Sequence, residues 1–245
     1  MDKPARDIPE LAIQVRGLTK SFGDCPALRG IDLNVRRGES VAVFGPNGAG
    51  KTTLIKILAA IMNPSSGEVL IDGLSIKDTT YEVQRRIGIV SHQTFLYANL
   101  TAYENLKFYG RMYDVPGTDE RIREVAEMVG MTSRLNDKVG TFSRGMQQRL
   151  SIARSLLHKP SIMLLDEPET GLDQRAISLL WKVIRPDGGE RRTTVFSTHS
   201  LERGRELADR FIILNKGRAV FEDTKHRLDL DGLREAYQRT TGASV

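Results

Sequence analysis

The sequence predicts an α/β fold built on a buried parallel core, and three features carry that expectation. Apolar runs of strand length alternate with helical patterns over most of its 245 residues. One run, at 41–44, leads into a glycine-rich loop that opens a helix. Another, at 162–165, ends on the adjacent carboxylates Asp166 and Glu167. Ligands of open α/β sheets bind at such strand ends.

In chain order, residues 11–15, 31–35 and 41–44 read as strands, with Arg37-Gly38-Glu39 as the turn joining the last two. After the glycine-rich loop, an apolar pattern of helical period runs from Thr52 to about Ile61. Residues 69–71 and 87–90 are further strands. From Gln93 to His158 the pattern turns helical. Thr101-Ala102-Tyr103-Glu104 fits a capping box, in which hydroxyl and carboxylate each satisfy an orphan backbone donor. Thr118 is a second N-cap candidate, followed by Ile122, Val125, Ala126 and Val129 at helical spacing and by Gly130 at the C-terminal cap. Strands return at 162–165, 194–197 and 211–214, and residues 240–245 read as frayed. The expected organisation is one domain, 1–245. Its β/α core comprises 11–92 and 159–222, with a helical insertion at 93–158 and a C-terminal helical tail at 223–245.

Forty per cent of the residues are apolar and 27% are charged, the balance of a chain that buries a sizeable core. No run approaches the roughly 18 uninterrupted apolar residues that a membrane span needs. The segment 1–10, with Asp2, Asp7 and Glu10, does not resemble a signal peptide, so the expected location is the cytoplasm. Cys25 is the only cysteine, which rules out an internal disulfide and a cysteine-held metal. His92, His158, His199 and His226 lack zinc-ligand spacing. The net charge of +5 suits nucleic acid or an anionic membrane face, but the basic residues are dispersed and charge alone does not choose.

Gly45-Pro46-Asn47-Gly48-Ala49-Gly50-Lys51-Thr52 matches the phosphate-loop pattern G-x-x-x-x-G-K-[ST] in full, between a strand and a helix as that pattern requires. Glycines let backbone N–H groups turn toward phosphate where a Cβ would obstruct them. The helix starting near Lys51 adds its positive end. Lys51 supplies a mobile charge for the β- and γ-phosphates and Thr52 a hydroxyl ligand for Mg2+, and Thr53 completes the nucleotide-binding set. The expected ligands are ATP and Mg2+.

The run at 162–165 ends on Asp166-Glu167-Pro168. Such a strand is buried on both faces, and its terminal carboxylates face the crevice. Asp166 is placed to hold Mg2+, directly or through water, and Glu167 to polarise the attacking water as general base. Pro168, lacking an N–H, helps to end the strand. Taken alone, this feature reads as a solvated strand end; the phosphate loop upstream makes it a candidate site.

Thr141-Phe142-Ser143-Arg144-Gly145-Met146-Gln147-Gln148-Arg149 adds specificity. Ser143 fits an N-cap, with Leu150, Ala153, Leu156 and Leu157 forming the apolar face behind it. A capped helix start is an anion-binding device, although in isolation the stretch is also an ordinary capped helix. The segment resembles the signature of ABC ATPases, L-S-G-G-Q followed by Q-R. Ser143 and Gly145 fall on its serine and second glycine, whereas Phe142, Arg144 and Met146 depart from the leucine, first glycine and glutamine. Other family elements follow in the family's order. Phe22, in Lys20-Ser21-Phe22-Gly23, matches the aromatic that stacks on adenine, with a core position as the lesser alternative. Gln93, in Val90-Ser91-His92-Gln93, matches the glutamine that senses Mg2+ and links core to insertion. Gly171-Leu172-Asp173 matches a loop across the dimer interface, with Thr170 where serine is more usual. His199, ending Val195-Phe196-Ser197-Thr198-His199, matches the switch histidine at the γ-phosphate.

The resemblance spans essentially 11–221 and implies a P-loop NTPase core of ABC ATPase type with an N-terminal antiparallel β segment and a helical insertion subdomain. It also implies ATP hydrolysis by a dimer of ATP-binding domains, a homodimer being the simplest form. Each site would use Lys51, Thr52, Gln93, Asp166, Glu167 and His199 of one domain and Ser143 and Gly145 of the other. Such a subunit works with ABC transmembrane subunits, peripheral on the inner face of the cell membrane and touching it through these partners, and no nucleic acid is expected. The segment Leu100-Thr101-Ala102-Tyr103-Glu104-Asn105-Leu106-Lys107-Phe108-Tyr109 is similar to exporters of the ABC-2 class. Residues 197–204, with 142–146, look like the haem-exporter ATP-binding subunit of cytochrome c maturation, so haem export is the expectation. Another ABC-2 exporter, of a drug, lipid or polysaccharide, is the alternative. A soluble ATPase of the iron–sulfur assembly type and a nucleotide-binding regulator are more distant readings, the second disfavoured by the presence of both Glu167 and His199.

Overall fold

A computed structural model describes residues 10–169, 172, 174–184 and 191–242. The smaller sheet is antiparallel, in the order β2-β1-β4-β5. Strands β1 (Leu11–Phe22) and β2 (Cys25–Arg36) make a long hairpin, and β4 (Ser66–Ile71) and the short β5 (Leu74–Ser75) extend it on the far side of β1. The larger sheet holds β3 (Ser40–Phe44), β6 (Ile87–Val90), β7 (Ile162–Asp166), β8 (Thr193–Ser197), β9 (Arg210–Asn215) and β10 (Arg218–Thr224), in the order β10-β9-β3-β8-β7-β6. All its pairings are parallel except the edge pair β9–β10. The turn at 37–39 forms, with Glu39 N donating to Arg36 O at 3.1 Å. It closes no hairpin, however, because β2 pairs with β1 while β3 lies in the other sheet.

The apolar runs at 41–44, 162–165 and 211–214 become central strands because both of their faces are covered. Val41, Val43, Ile162, Leu164, Ile212 and Leu214 face the antiparallel sheet and helix α1 (Lys51–Leu58) in one core. Their alternates Ala42, Phe44, Met163, Leu165, Phe211 and Ile213 belong to a second core, shared with the helices of the opposite layer. These helices are α3 (Ala102–Met112), α4 (Thr118–Met128), α5 (Arg144–Leu156), α6 (Gln174–Ile184), α7 (Leu201–Leu207) and α8 (Leu230–Thr241); a short α2 (Thr80–Gln84) precedes β6. The period-two alternation of each strand thus divides its side chains between two hydrophobic layers.

Helix ends depart from expectation in instructive places. Helix α1 stops at Leu58 rather than Ile61, because Ala60 turns left-handed (φ 52°) and the amides of Ile61 and Met62 return to Lys56 O. The capping box at Thr101 forms in both directions, Glu104 N to Thr101 Oγ1 at 3.1 Å and Thr101 N to Glu104 Oε2 at 2.8 Å. Thr118 is not an N-cap. Gly117, at φ 59°, caps α4, while Thr118 is its first residue and donates its hydroxyl backwards to Val115 O at 2.6 Å. Residues Thr240 and Thr241 are not frayed but form the last turn of α8, tied to the sheet by Asn215 Nδ2 on Thr240 O at 2.8 Å. Residues 243–245 lie outside the described residues.

Candidate functional site

The phosphate-loop segment follows β3 and is shaped by contacts that leave no room for side chains. A Cβ on Gly45 (φ 147°) would lie 2.2 Å from Leu214 O, and one on Gly50 (φ 107°) would lie 2.7 Å from Ala27 O. The loop closes on itself through Ala49 N and Pro46 O at 3.1 Å, and Gly217 N donates to Ala49 O at 3.1 Å from the β9–β10 turn. What remains is a row of backbone donors. Among the described residues, the amides of Asn47, Gly48, Gly50, Lys51, Thr52 and Thr53 donate to no protein acceptor. Five of these belong to the loop's last turn and the start of α1, where orphan N–H groups and the helix dipole converge on an anion.

Lys51 is buried and donates Nζ to Gly45 O at 2.7 Å and to Pro46 O at 3.2 Å, so its charge lies along the loop. Burial pushes its pKa below the ordinary lysine value, opposed by the nearby carboxylates of Glu167 and Asp166. Sheet order supplies those carboxylates: β7 and β3 flank β8, all parallel, so their C-terminal ends share one rim. Asp166, 2% exposed, accepts from Thr52 Oγ1 at 3.1 Å and from Ser197 Oγ at 2.8 Å, both on Oδ1. Glu167 takes a left-handed backbone (φ 48°), its amide donates to Ser197 Oγ at 3.0 Å, and its Oε1 lies 2.7 Å from His199 Nε2. Lys51, Thr52, Asp166, Glu167 and His199 therefore form one cluster in which a base, a cation and an anion cradle converge.

Other predicted site residues stand at its margins. Gln93 is exposed beyond β6, whose Val90 pairs with Leu165 next to Asp166. Phe22 is half exposed at the tip of the β1–β2 hairpin, with Lys20 Nζ 5.2 Å above its ring, so it is not a core residue. Ser143 caps α5 by accepting from Met146 N at 3.3 Å, and Gly145 lies one residue beyond the helix start. The amides of Arg144 and Gly145 donate to no described residue, and no hydrogen bond links Ser143 or Gly145 to the phosphate loop. Thr170, Gly171 and Asp173 lie outside the described residues. Sequence reading gave no role to Ser197, which touches both carboxylate residues. Its pairing with Asp166 becomes visible only once β7 and β8 lie side by side.

The donor set fits nucleotide and magnesium: unpaired amides suit phosphate, and a hydroxyl against a carboxylate supplies the hard oxygens that Mg2+ prefers. Residues 28–170 match the family model described as ABC transporter. The linearmycin resistance ATP-binding protein of Bacillus subtilis is 34% identical over 215 residues, 87% of this chain and 69% of that protein. The daunorubicin resistance ATP-binding protein of Streptomyces coeruleorubidus is 36% identical over 246 residues, 96% of this chain and 77% of that protein. A dimeric ATP-binding cassette solved in a post-hydrolysis state with ADP and Pi superposes with a TM-score of 0.78 at 31% identity, over 87% of this chain and 98% of that one.

Proposed function

This chain belongs to the ABC transporter family, and from that premise we propose that it is the ATP-hydrolysing subunit of an ABC-2-type small-molecule exporter. Two copies close head to tail over two ATP molecules. The observation that carries this reading is the separation of two anion-binding devices, the free amides at 50–53 and the capped start of α5, with no hydrogen bond between them. A second copy can bring its Ser143 and Gly145 against the γ-phosphate that the first copy's loop holds.

Within each site, Lys51 and the loop amides hold the β- and γ-phosphates, and Phe22 offers its exposed ring to the base. Mg2+, held by Thr52 and Asp166 with Gln93 beside it, would neutralise phosphate charge when bound. Glu167, oriented by His199, accepts the proton of the water whose oxygen attacks the γ-phosphorus as the bond to ADP breaks. His199 can also reach the γ-phosphate once Glu167 turns to the water. Hydrolysis removes the group that bridges the copies, and they part. Residues 93–158 act as the helical unit that carries Ser143 to the partner.

The drug-resistance names of the relatives favour a drug- or lipid-like cargo over haem. Membrane-spanning subunits select that cargo and hold this chain to the inner membrane face; among the described residues no helix is long and apolar enough to cross a membrane. A docking surface for them is at hand. Ile61, Tyr81, Tyr97, Phe108 and Met112 are each more than two-fifths exposed. Ile61 and Met112 line a cavity of about 170 Å³ together with Phe95, Tyr109 and the buried cation of Arg154. Exposed aromatic and methionine side chains in one patch suit a partner helix.

The test is Glu167→Gln with Mg-ATP. The variant should bind ATP with wild-type affinity, lose nearly all turnover and run as a dimer in analytical ultracentrifugation, reverting to monomer when EDTA removes the metal. A variant that hydrolyses ATP normally refutes the role of Glu167. One that stays monomeric even beside membrane subunits refutes the composite site.

A further inference from the structure

We propose that Ser197 is a positioning residue for hydrolysis, one hydroxyl fixing the carboxylate of Asp166 and the backbone of Glu167 together. The inference rests on the reading of that acidic pair given above. Ser197 closes β8 and is the parallel-ladder partner of Asp166, the last residue of β7. It is fully buried at the end of a strand whose five residues are all buried. A serine hydroxyl has one hydrogen to give and lone pairs to receive. Here the hydrogen goes to Asp166 Oδ1 at 2.8 Å, and a lone pair takes the amide of Glu167 at 3.0 Å. The hydrogen bonds of this side chain are thus spent on two consecutive site residues.

Two consequences follow from that geometry. Oδ1 of Asp166 is committed to two hydroxyls, those of Ser197 and Thr52, whereas Oδ2 accepts from no described residue. Oδ2 is therefore the oxygen left for a cation or a water in its shell. Glu167, meanwhile, adopts a left-handed conformation that is costly for a side-chain-bearing residue, and it does so where its amide reaches Ser197. That tie fixes the direction from which its carboxylate meets His199 and the attacking water. An apolar residue of similar size at 197 would fill the space, yet it would strand the amide of Glu167 and free the Asp166 carboxylate to rotate.

The experiment compares Ser197→Ala and Ser197→Thr with wild type in the full chain, measuring ATP affinity, kcat and the Mg2+ concentration for half-maximal turnover. Alanine should leave ATP affinity within about threefold, because the loop amides and Lys51 are untouched. It should lower kcat by roughly tenfold or more and raise the Mg2+ requirement several-fold, since misplacement on the scale of an ångström is enough for such losses. Threonine keeps the hydroxyl and should restore both parameters to within about threefold of wild type. Wild-type kcat and Mg2+ dependence in the alanine variant overturn the proposal. So does a kcat that falls only as far as ATP-binding capacity falls, or a threonine variant as slow as alanine. Failure of the underlying reading looks different: the wild-type chain itself would then not hydrolyse ATP.

Discussion

Gly45 and Gly48 sit three residues apart in one loop, yet the structure asks different things of them. Both have positive φ, 147° and 77°, but only Gly45 faces an obstacle: a Cβ there would meet Leu214 O at 2.2 Å, whereas one on Gly48 would find nothing within 4 Å. Gly48→Ala should therefore cost only left-handed strain, about 1–2 kcal/mol, and weaken ATP binding modestly. Gly45→Ala must push the loop off β9 and should abolish measurable ATP binding in calorimetry. Equal affinities in the two variants would contradict this packing argument. His158 makes a second residue-scale prediction. Burial lowers its pKa from 6.5 to about 4, opposed by its ring bond to Ile87 O at 3.0 Å and reinforced by Arg154, Arg121 and Arg85. The folded state thus holds the neutral ring. Its contribution is complete above pH 6.5, where the unfolded chain is neutral too, and it drains away as pH falls toward 4 and the unfolded imidazole takes up a proton first. The loss amounts to about 3 kcal/mol across that window. Urea midpoints at pH 7.5 and 5 should differ less in His158→Gln than in wild type. The motif residues of the site were legible because their spacing is short and their chemistry fixed. Ser197 and His158 were not, because their roles depend on partners 31 and 71 residues away.

The proposed closed dimer gives helix α5 two functions at one end, and a pair of substitutions separates them. Ser143 stabilises the helix by accepting from Met146 N. Its loss in Ser143→Ala should cost about 1 kcal/mol of stability. Ser143→Asp keeps a capping acceptor and adds a charge that the helix dipole favours, so thermal stability should hold. The same charge would face the γ-phosphate in the proposed closed dimer, and self-association with Mg-ATP should vanish. A Ser143→Asp protein that still dimerises in sedimentation would show that α5 does not cover phosphate. At this scale the strands at 41–44 and 162–165 were readable, because double-sided burial leaves an unbroken apolar run. Strand β10 was not, since its edge position leaves Arg218, Ala219 and Val220 exposed and erases the alternation. Helix α2 has only five residues, too few for a period to show. The cap of α4 is hidden from the sequence because glycine in the left-handed region can replace a hydroxyl, and Thr118 spends its own on Val115 O.

For the molecule as a whole, the proposed site exists only between copies, and this makes complementation the sharpest prediction. Lys51→Ala removes the cation of the phosphate loop, while Ser143→Asp blocks the face that covers phosphate on the partner. Each variant alone should be inactive, because any site that two of its copies could build would hold one damaged half. Mixed in equal amounts, the two form heterodimers in which one site combines the intact loop of the Ser143→Asp copy with the intact α5 of the Lys51→Ala copy. The other site carries both defects. Each mixed dimer has one of its two sites whole, so turnover should rise above that of either variant alone, to at most roughly half of wild type. A site contained within one chain predicts no recovery, because neither variant then has a whole set of groups, and mixing cannot supply one. At constant total protein, turnover plotted against the fraction of Ser143→Asp copies should pass through a maximum near equal proportions. A monotonic response would point to activity from one component alone and would remove the head-to-tail arrangement from consideration.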